Sequence, residues 1–224
     1  MKKIIKYLFL LTGGSFILAS CNDFLDREPL DSVTPDNFFF TENDLAAYAV
    51  KHYNFTTHEG FNAGIWRNDN ATDNQAATDY DKKWIPGQWK VPEAYDNPAS
   101  NDPWYFSAIR EANYFLETVV PRFEKGEIEG SETNIKHYIG EMYFLRAKNY
   151  LSKLETFGDF PIIKNTLPDE SVSLIQASKR EPRHKVARFI LEDLDLAIGL
   201  LTNTISGGKN RITQNAALLL KSRA

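Results

Sequence analysis

Residues 138–161 read YIGEMYFLRAKNYLSKLETFGDFP, and this run decides the fold. Ile139, Tyr143, Ala147, Tyr150, Leu154 and Phe157 recur at every third or fourth position, the spacing of one helical face. Phe144, Leu145 and Leu151 add a second apolar stripe. Only a narrow strip carrying Glu141, Lys148, Ser152 and Glu155 is left for water. A helix apolar over so wide an arc packs against neighbours on two sides. Gly158 supplies a C-terminal stop and Pro161 keeps the helix from resuming. The spacing therefore predicts a central helix over about 131–157, with the other elements layered on it.

Working outward, Thr41-Glu42-Asn43-Asp44 reads as an N-cap with an acid at the third helical position. It opens a first helix over about 42–56, with Leu45, Tyr48, Ala49, His52 and Tyr53 on one face. Asp102-Pro103 predicts a cap and a proline at the first turn of a second helix. Its inner face is Tyr105, Ile109, Ala112, Leu116 and Val119, and its end is Pro121. Asn113 lies in that face and needs partners, expected among backbone groups of the long loop before it. Beyond the central helix, residues 160–163 predict a short extended piece and residues 164–178 a loop. Pro182 then opens a fourth helix with Val186, Ile190, Leu194, Ala197 and Leu201 inward. Gly207-Gly208 marks a turn, and a fifth helix starts near Thr213 with Ala216, Ala217, Leu219 and Leu220. Antiparallel helix pairs joined by short turns predict an all-α fold of tetratricopeptide-like stacked pairs, without a repeat of fixed period.

No period survives from Thr57 to Asp102, apart from a short helix expected near 71–79. All four tryptophans (Trp66, Trp84, Trp89, Trp104) fall in or at the edge of this stretch, with Phe61, Tyr80 and Tyr95. Disordered segments are poor in such residues, so a long aromatic-rich excursion is expected. Sugars present flat C–H faces and fixed hydroxyls, which suit aromatic rings beside planar polar groups. Asp73, Tyr80, Trp84, Trp89, Tyr95, Asn97 and Asn101, with Asp81 and Gln88 interleaved, supply both and are the expected ligand-binding residues. The competing reading is that the rings only pin the loop to the helices.

The first twenty residues stand apart from the core. Lys2, Lys3 and Lys6 precede an apolar run, Tyr7 to Leu18, too short to stay in a bilayer. It ends in Leu18-Ala19-Ser20-Cys21, which resembles a bacterial lipobox. The expected organisation is a lipoprotein signal peptide over 1–20, a tether over 21–40 lipidated at Cys21, and a helical domain over 41–224. Cys21 is the only cysteine, so no intramolecular disulfide forms. The chain of 224 residues has 26 basic and 30 acidic side chains; without residues 1–20 it has 23 basic against 30 acidic. Such a balance argues against nucleic acid and against wide contact with anionic lipid, leaving the lipid anchor as the expected membrane contact. The fifth helix runs to Arg223-Ala224 without glycine, proline or cap, so the domain is expected to be incomplete there. Its leucines would stay wet at about 25 cal/mol per Å², and instability of the isolated chain is expected.

No catalytic constellation stands out. His52, His58, His137 and His184 are scattered, and Asp69 with Asp73 lack the glycine and terminal acid of a calcium loop. There is no nucleophile elbow or phosphate loop, and Glu192, Asp193 and Asp195 read as solvated charge on a helix face. No enzyme activity, cofactor or metal is expected.

The motifs point further. The start Cys21-Asn22-Asp23-Phe24-Leu25-Asp26 and the run 104–113 (WYFSAIREAN) resemble the SusD/RagB family. Gly140-Glu141, Leu145-Arg146-Ala147 and Phe157-Gly158-Asp159-Phe160-Pro161 are similar to its most recognisable run, and residues 189–197 and 211–223 also fit. The resemblance covers the amino-terminal part of such a protein. It implies an outer-membrane lipoprotein, with Asp23, Asp26 and Glu28 resembling an acidic surface-export signal. It further implies that the protein binds oligosaccharides and covers a TonB-dependent SusC-like outer-membrane transporter, without catalysis. The alternatives are a non-binding lid or scaffold of that transporter, or a peptide-binding relative.

Overall fold

The computed structural model describes residues 38–53, 55, 85–88, 90–93, 102–205 and 210–224. Among them are six helices: α1 (Glu42–Lys51), α2 (Ser107–Lys125), α3 (Glu132–Phe157), α4 (Ser171–Ala177), α5 (Arg183–Leu200) and α6 (Gln214–Lys221). The helix near 71–79 and the turn at Gly207-Gly208 lie outside the described residues. The fold is all-α, with tetratricopeptide-like stacking. α3 packs on α1, α2 and α5, and α5 carries α6. Phe39, Leu45, Ile109, Phe115, Ile139, Met142, Tyr150, Ile190 and Leu194 fill the core between these layers. Leaving them exposed would cost about 1.5–3 kcal/mol for each large side chain. Gly140 lets the end of α5 come close, since a Cβ there would meet Leu201 Cγ at 3.0 Å and Leu200 Cβ at 3.1 Å.

Local chemistry sets the boundaries. Thr41 and Asp44 form a reciprocal capping box at the start of α1. α1 stops at Lys51, short of the expected 56, and Tyr53 leaves the helix to place its hydroxyl 2.6 Å from Glu141 Oε1. Glu42 reaches from α1 to accept from Ser131 N at 2.7 Å, tying α1 to the entry of α3. α3 ends at Gly158, whose φ of 72° suits glycine.

Several expectations are corrected. Asp102-Pro103 does not cap α2; Asp102 accepts from Trp104 N at 2.8 Å in a tight turn, and the helix begins at Ser107. Tyr105 is consequently exposed rather than inward. α2 does not stop at Pro121 but passes through it to Lys125, with Gly126 as its C-cap. Pro121 is exposed, so water can meet the carbonyl that proline leaves without an amide donor, and buried Val119 with half-buried Phe123 holds the helix in register. Residues 164–178 are not all loop, because residues 171–177 form α4, a short helix with no buried residue.

A cavity over a clamped loop

Three polar residues from separate motifs meet inside the stack. Arg146 on α3 donates from Nε and Nη2 to the two carboxylate oxygens of Asp193 on α5, both at 2.7 Å. Arg146 Nη1 donates to Asn113 Oδ1 on α2 at 2.9 Å. Both side chains of the ion pair are nearly excluded from solvent. Burial pushes the Asp193 carboxyl above its ordinary value, while the Arg146 guanidinium pulls it back. This corrects the reading of Asp193 as solvated charge; Glu192 and Asp195 are the exposed members of that run. A two-point guanidinium–carboxylate pair with its remaining donor used is the arrangement in which burying charge is tolerable.

The trio holds a loop. Asn113 Nδ2 donates to the carbonyl of Ile163 at 2.8 Å and faces that of Asn165 at 3.4 Å. Asn113 thus finds its partners after α3, not in the long loop before α2. Ile163 N donates to the Tyr150 hydroxyl at 2.8 Å, and that hydroxyl lies 3.1 Å from Ile163 O. Burial raises the Tyr150 phenol to about 12. Glu117 accepts from Thr166 N and Oγ1, and Phe160 pairs with Glu181 in an antiparallel bridge. A segment with few helical constraints is thereby fixed at both edges.

Aromatic rings form the wall beside it. Phe160 is fully buried and stacks with Phe106 at 5.1 Å, Phe157 at 5.3 Å and Trp104 at 5.6 Å. The Arg180 guanidinium stands 5.3 Å from the Trp104 ring centre, and Trp104 Nε1 donates to Pro92 O at 2.8 Å. Trp104 is therefore packed against Phe157, Phe160 and Arg180 and itself lines the cavity beside this wall. Between this wall, the clamped loop and α4 lies a cavity of about 320 Å³. Phe106, Arg110, Ile163, Asn165, Leu167 and Leu174 are among its lining residues. That volume is at the small end of ligand pockets, room for a sugar ring or an apolar side chain.

A second buried polar cluster lies on another face of α3. Glu141, expected on the wet strip, is fully buried. Arg211 Nε donates to it at 2.8 Å, and the Tyr53 hydroxyl donates at 2.6 Å. His137 Nε2 lies 3.2 Å from Glu141 Oε1 but off the hydrogen-bond line, so the contact leaves that nitrogen unsatisfied. Thr202 N donates to His137 Nδ1 at 3.2 Å, which places the proton of a neutral ring on Nε2. This cluster joins α1 and the segment before α6.

The expected ligand residues Asp73, Tyr80, Trp84, Trp89, Tyr95, Asn97 and Asn101, and the lipidation site Cys21, all lie outside the described residues. Sequence reasoning missed Phe106, Arg110, Asn165 and Leu167 as cavity residues. Arg110 had a signal: it stands one turn before Asn113 in the run 104–113, on the face turned to the loop. Among the described residues no group of His, Cys, Asp and Glu is placed to hold a metal ion, and no helix is long and apolar enough to cross a membrane.

A SusD-like family model, described as starch-binding and associating with the outer membrane, matches residues 23–224. Two SusD-like proteins of Formosa agariphila are similar to the chain, at 26% identity over 193 residues and 27% over 206 residues. The matches cover 84% and 88% of this chain but 36% and 37% of theirs, so the chain spans little more than a third of these relatives. A solved SusD-like protein from Bacteroides fragilis is 27% identical with a TM-score of 0.62, over 88% of this chain and 37% of its own.

Proposed function

The chain belongs to the SusD-like family, and from that premise we propose that it captures oligosaccharides at the bacterial cell surface for import. The observation that carries this reading is the match of a starch-binding, outer-membrane-associated family over residues 23–224. In this reading Cys21 carries the lipid anchor, the protein binds without catalysis, and a SusC-like TonB-dependent transporter receives the ligand. The proposed sugar contacts are Trp84, Trp89 and Tyr95, with Asp73, Tyr80, Asn97 and Asn101 supplying hydrogen bonds. The clamped loop and its cavity offer further contact surface beside Phe106.

Titration of the full chain with starch oligosaccharides and other neutral glycans tests this. Saturable binding that falls at least about fivefold in Trp84→Ala or Trp89→Ala is expected, in line with a loss above about 1 kcal/mol for truncating an aromatic anchor. Absence of binding to any glycan would overturn the reading. For the anchor, Cys21→Ser is expected to abolish incorporation of labelled palmitate; continued labelling would exclude that site.

A further inference from the structure

The cavity has a feature that capture of neutral starch does not require. Arg110 lines it, is exposed, and has no ion pair or side-chain hydrogen bond with any described residue. Elsewhere in the stack buried Arg146 is committed to Asp193 and Asn113, and half-buried Arg211 to Glu141 and the Ala46 carbonyl. Near the cavity a second guanidinium, that of Arg180, lies against Trp104. Arg180 donates from Nε to Asp159 O at 2.8 Å, and it has no ion pair among the described residues. The carboxylate on the Arg110 face of α2, Glu117, is engaged by Thr166. The side-chain amide of Asn165, also lining the cavity, is exposed and holds no hydrogen bond to a described residue, while its carbonyl faces Asn113.

Resting on the carbohydrate reading above, we propose that this cavity is a subsite for acidic sugars, in which Arg110 receives the carboxylate of a uronic acid residue. A planar guanidinium with free donors matches a carboxylate at two points. Phe106 and the aliphatic side chains of Leu167 and Leu174 suit the C–H face of the ring. Asn165 supplies a donor and an acceptor for its hydroxyls. The acidic balance of the whole chain does not forbid this, because charges beyond roughly 8 Å are screened at physiological salt while the guanidinium acts at contact.

The test pairs ligand charge with the arginine. Full chain is titrated calorimetrically with alginate and polygalacturonate, with the carboxyl-reduced form of each, and with starch as the neutral reference. Wild type is expected to bind an acidic polymer at least about tenfold more tightly than its reduced form. In Arg110→Gln the two forms should bind alike, and Arg110→Lys should keep part of the preference. Because Arg110 is exposed and makes no described side-chain bond, the thermal midpoint should be unchanged, which separates lost binding from lost folding. Equal binding of acidic and reduced polymers by wild type, or a preference retained in Arg110→Gln, overturns the proposal. Binding of starch alone also overturns it and leaves carbohydrate capture standing. Failure of every polymer to bind removes both.

Discussion

Glu141 and Arg146 stand five residues apart on α3, each buried with an opposite charge, yet they hold different parts of the chain. Arg146 faces α5 and α2, and through Asn113 it fixes the loop that rims the cavity. Glu141 faces α1 and the segment before α6, and through Arg211 and Tyr53 it fixes the closing end of the stack. The two clusters share one device. A tyrosine hydroxyl catches the backbone amide of a connecting segment: Tyr150 takes Ile163 N at 2.8 Å, and Tyr53 takes Ile212 N at 2.9 Å. They differ in what lies next to the caught segment, the cavity beside Phe106 in one case and the start of α6 in the other. Buried charge in this fold thus serves to position connections, and the one held by Arg146 and Asn113 rims the cavity beside Phe106.

The largest effect should come from Asp193→Ala, which leaves the Arg146 guanidinium buried without its partner. A loss of about 3–5 kcal/mol is expected, read as a lowered urea midpoint of the full chain; a loss below about 1 kcal/mol would show the pair to be solvated. Tyr53→Phe strikes the other cluster, removing a donor to a buried carboxylate and an acceptor for Ile212 N. It should cost about 1.5–3 kcal/mol and leave ligand binding at the cavity unchanged. Weaker binding in this variant would mean that the clusters are coupled. The smallest effect belongs to the double replacement Arg146→Met with Asp193→Leu, where apolar packing substitutes for the ion pair. Stability within about 1 kcal/mol of wild type, or above it, is expected. Ligand binding should nevertheless fall, because Asn113 loses the donor that orients it.

The contrast between the clusters also explains what the sequence made legible. The wide apolar arc of α3, the inner faces of α2 and α5 and the Thr41 cap are local patterns, and they placed the helices within a few residues. Glu141 was assigned to the wet strip and Asp193 to a solvated run because periodicity sees one chain segment at a time. A carboxylate is buried when an arginine arrives from elsewhere, 47 residues away for Asp193 and 70 for Glu141. α4 escaped notice because a seven-residue helix with Val172 and Ile175 outward buries no side chain and leaves no inward stripe. The cavity was hidden for the same reason as the ion pairs. Phe106, Arg110, Asn165 and Leu174 come from three segments, and none is unusual where it stands. The family motifs did carry the information in another form, since Asn113, Arg146 and the Phe157–Pro161 run all meet at the clamped loop.

The most direct test that the Arg146 cluster holds the cavity loop separately from the rest of the stack is native-state hydrogen exchange in Asn113→Ala. The ratio of the Ile163 exchange rate to the Ile212 rate cancels any global loss of stability, since both amides exchange together on full unfolding. Loss of the bond from Asn113 to Ile163 O, worth about 1–1.5 kcal/mol, should raise that ratio about tenfold in the variant. An unchanged ratio would contradict a separately held loop and leave one undivided core.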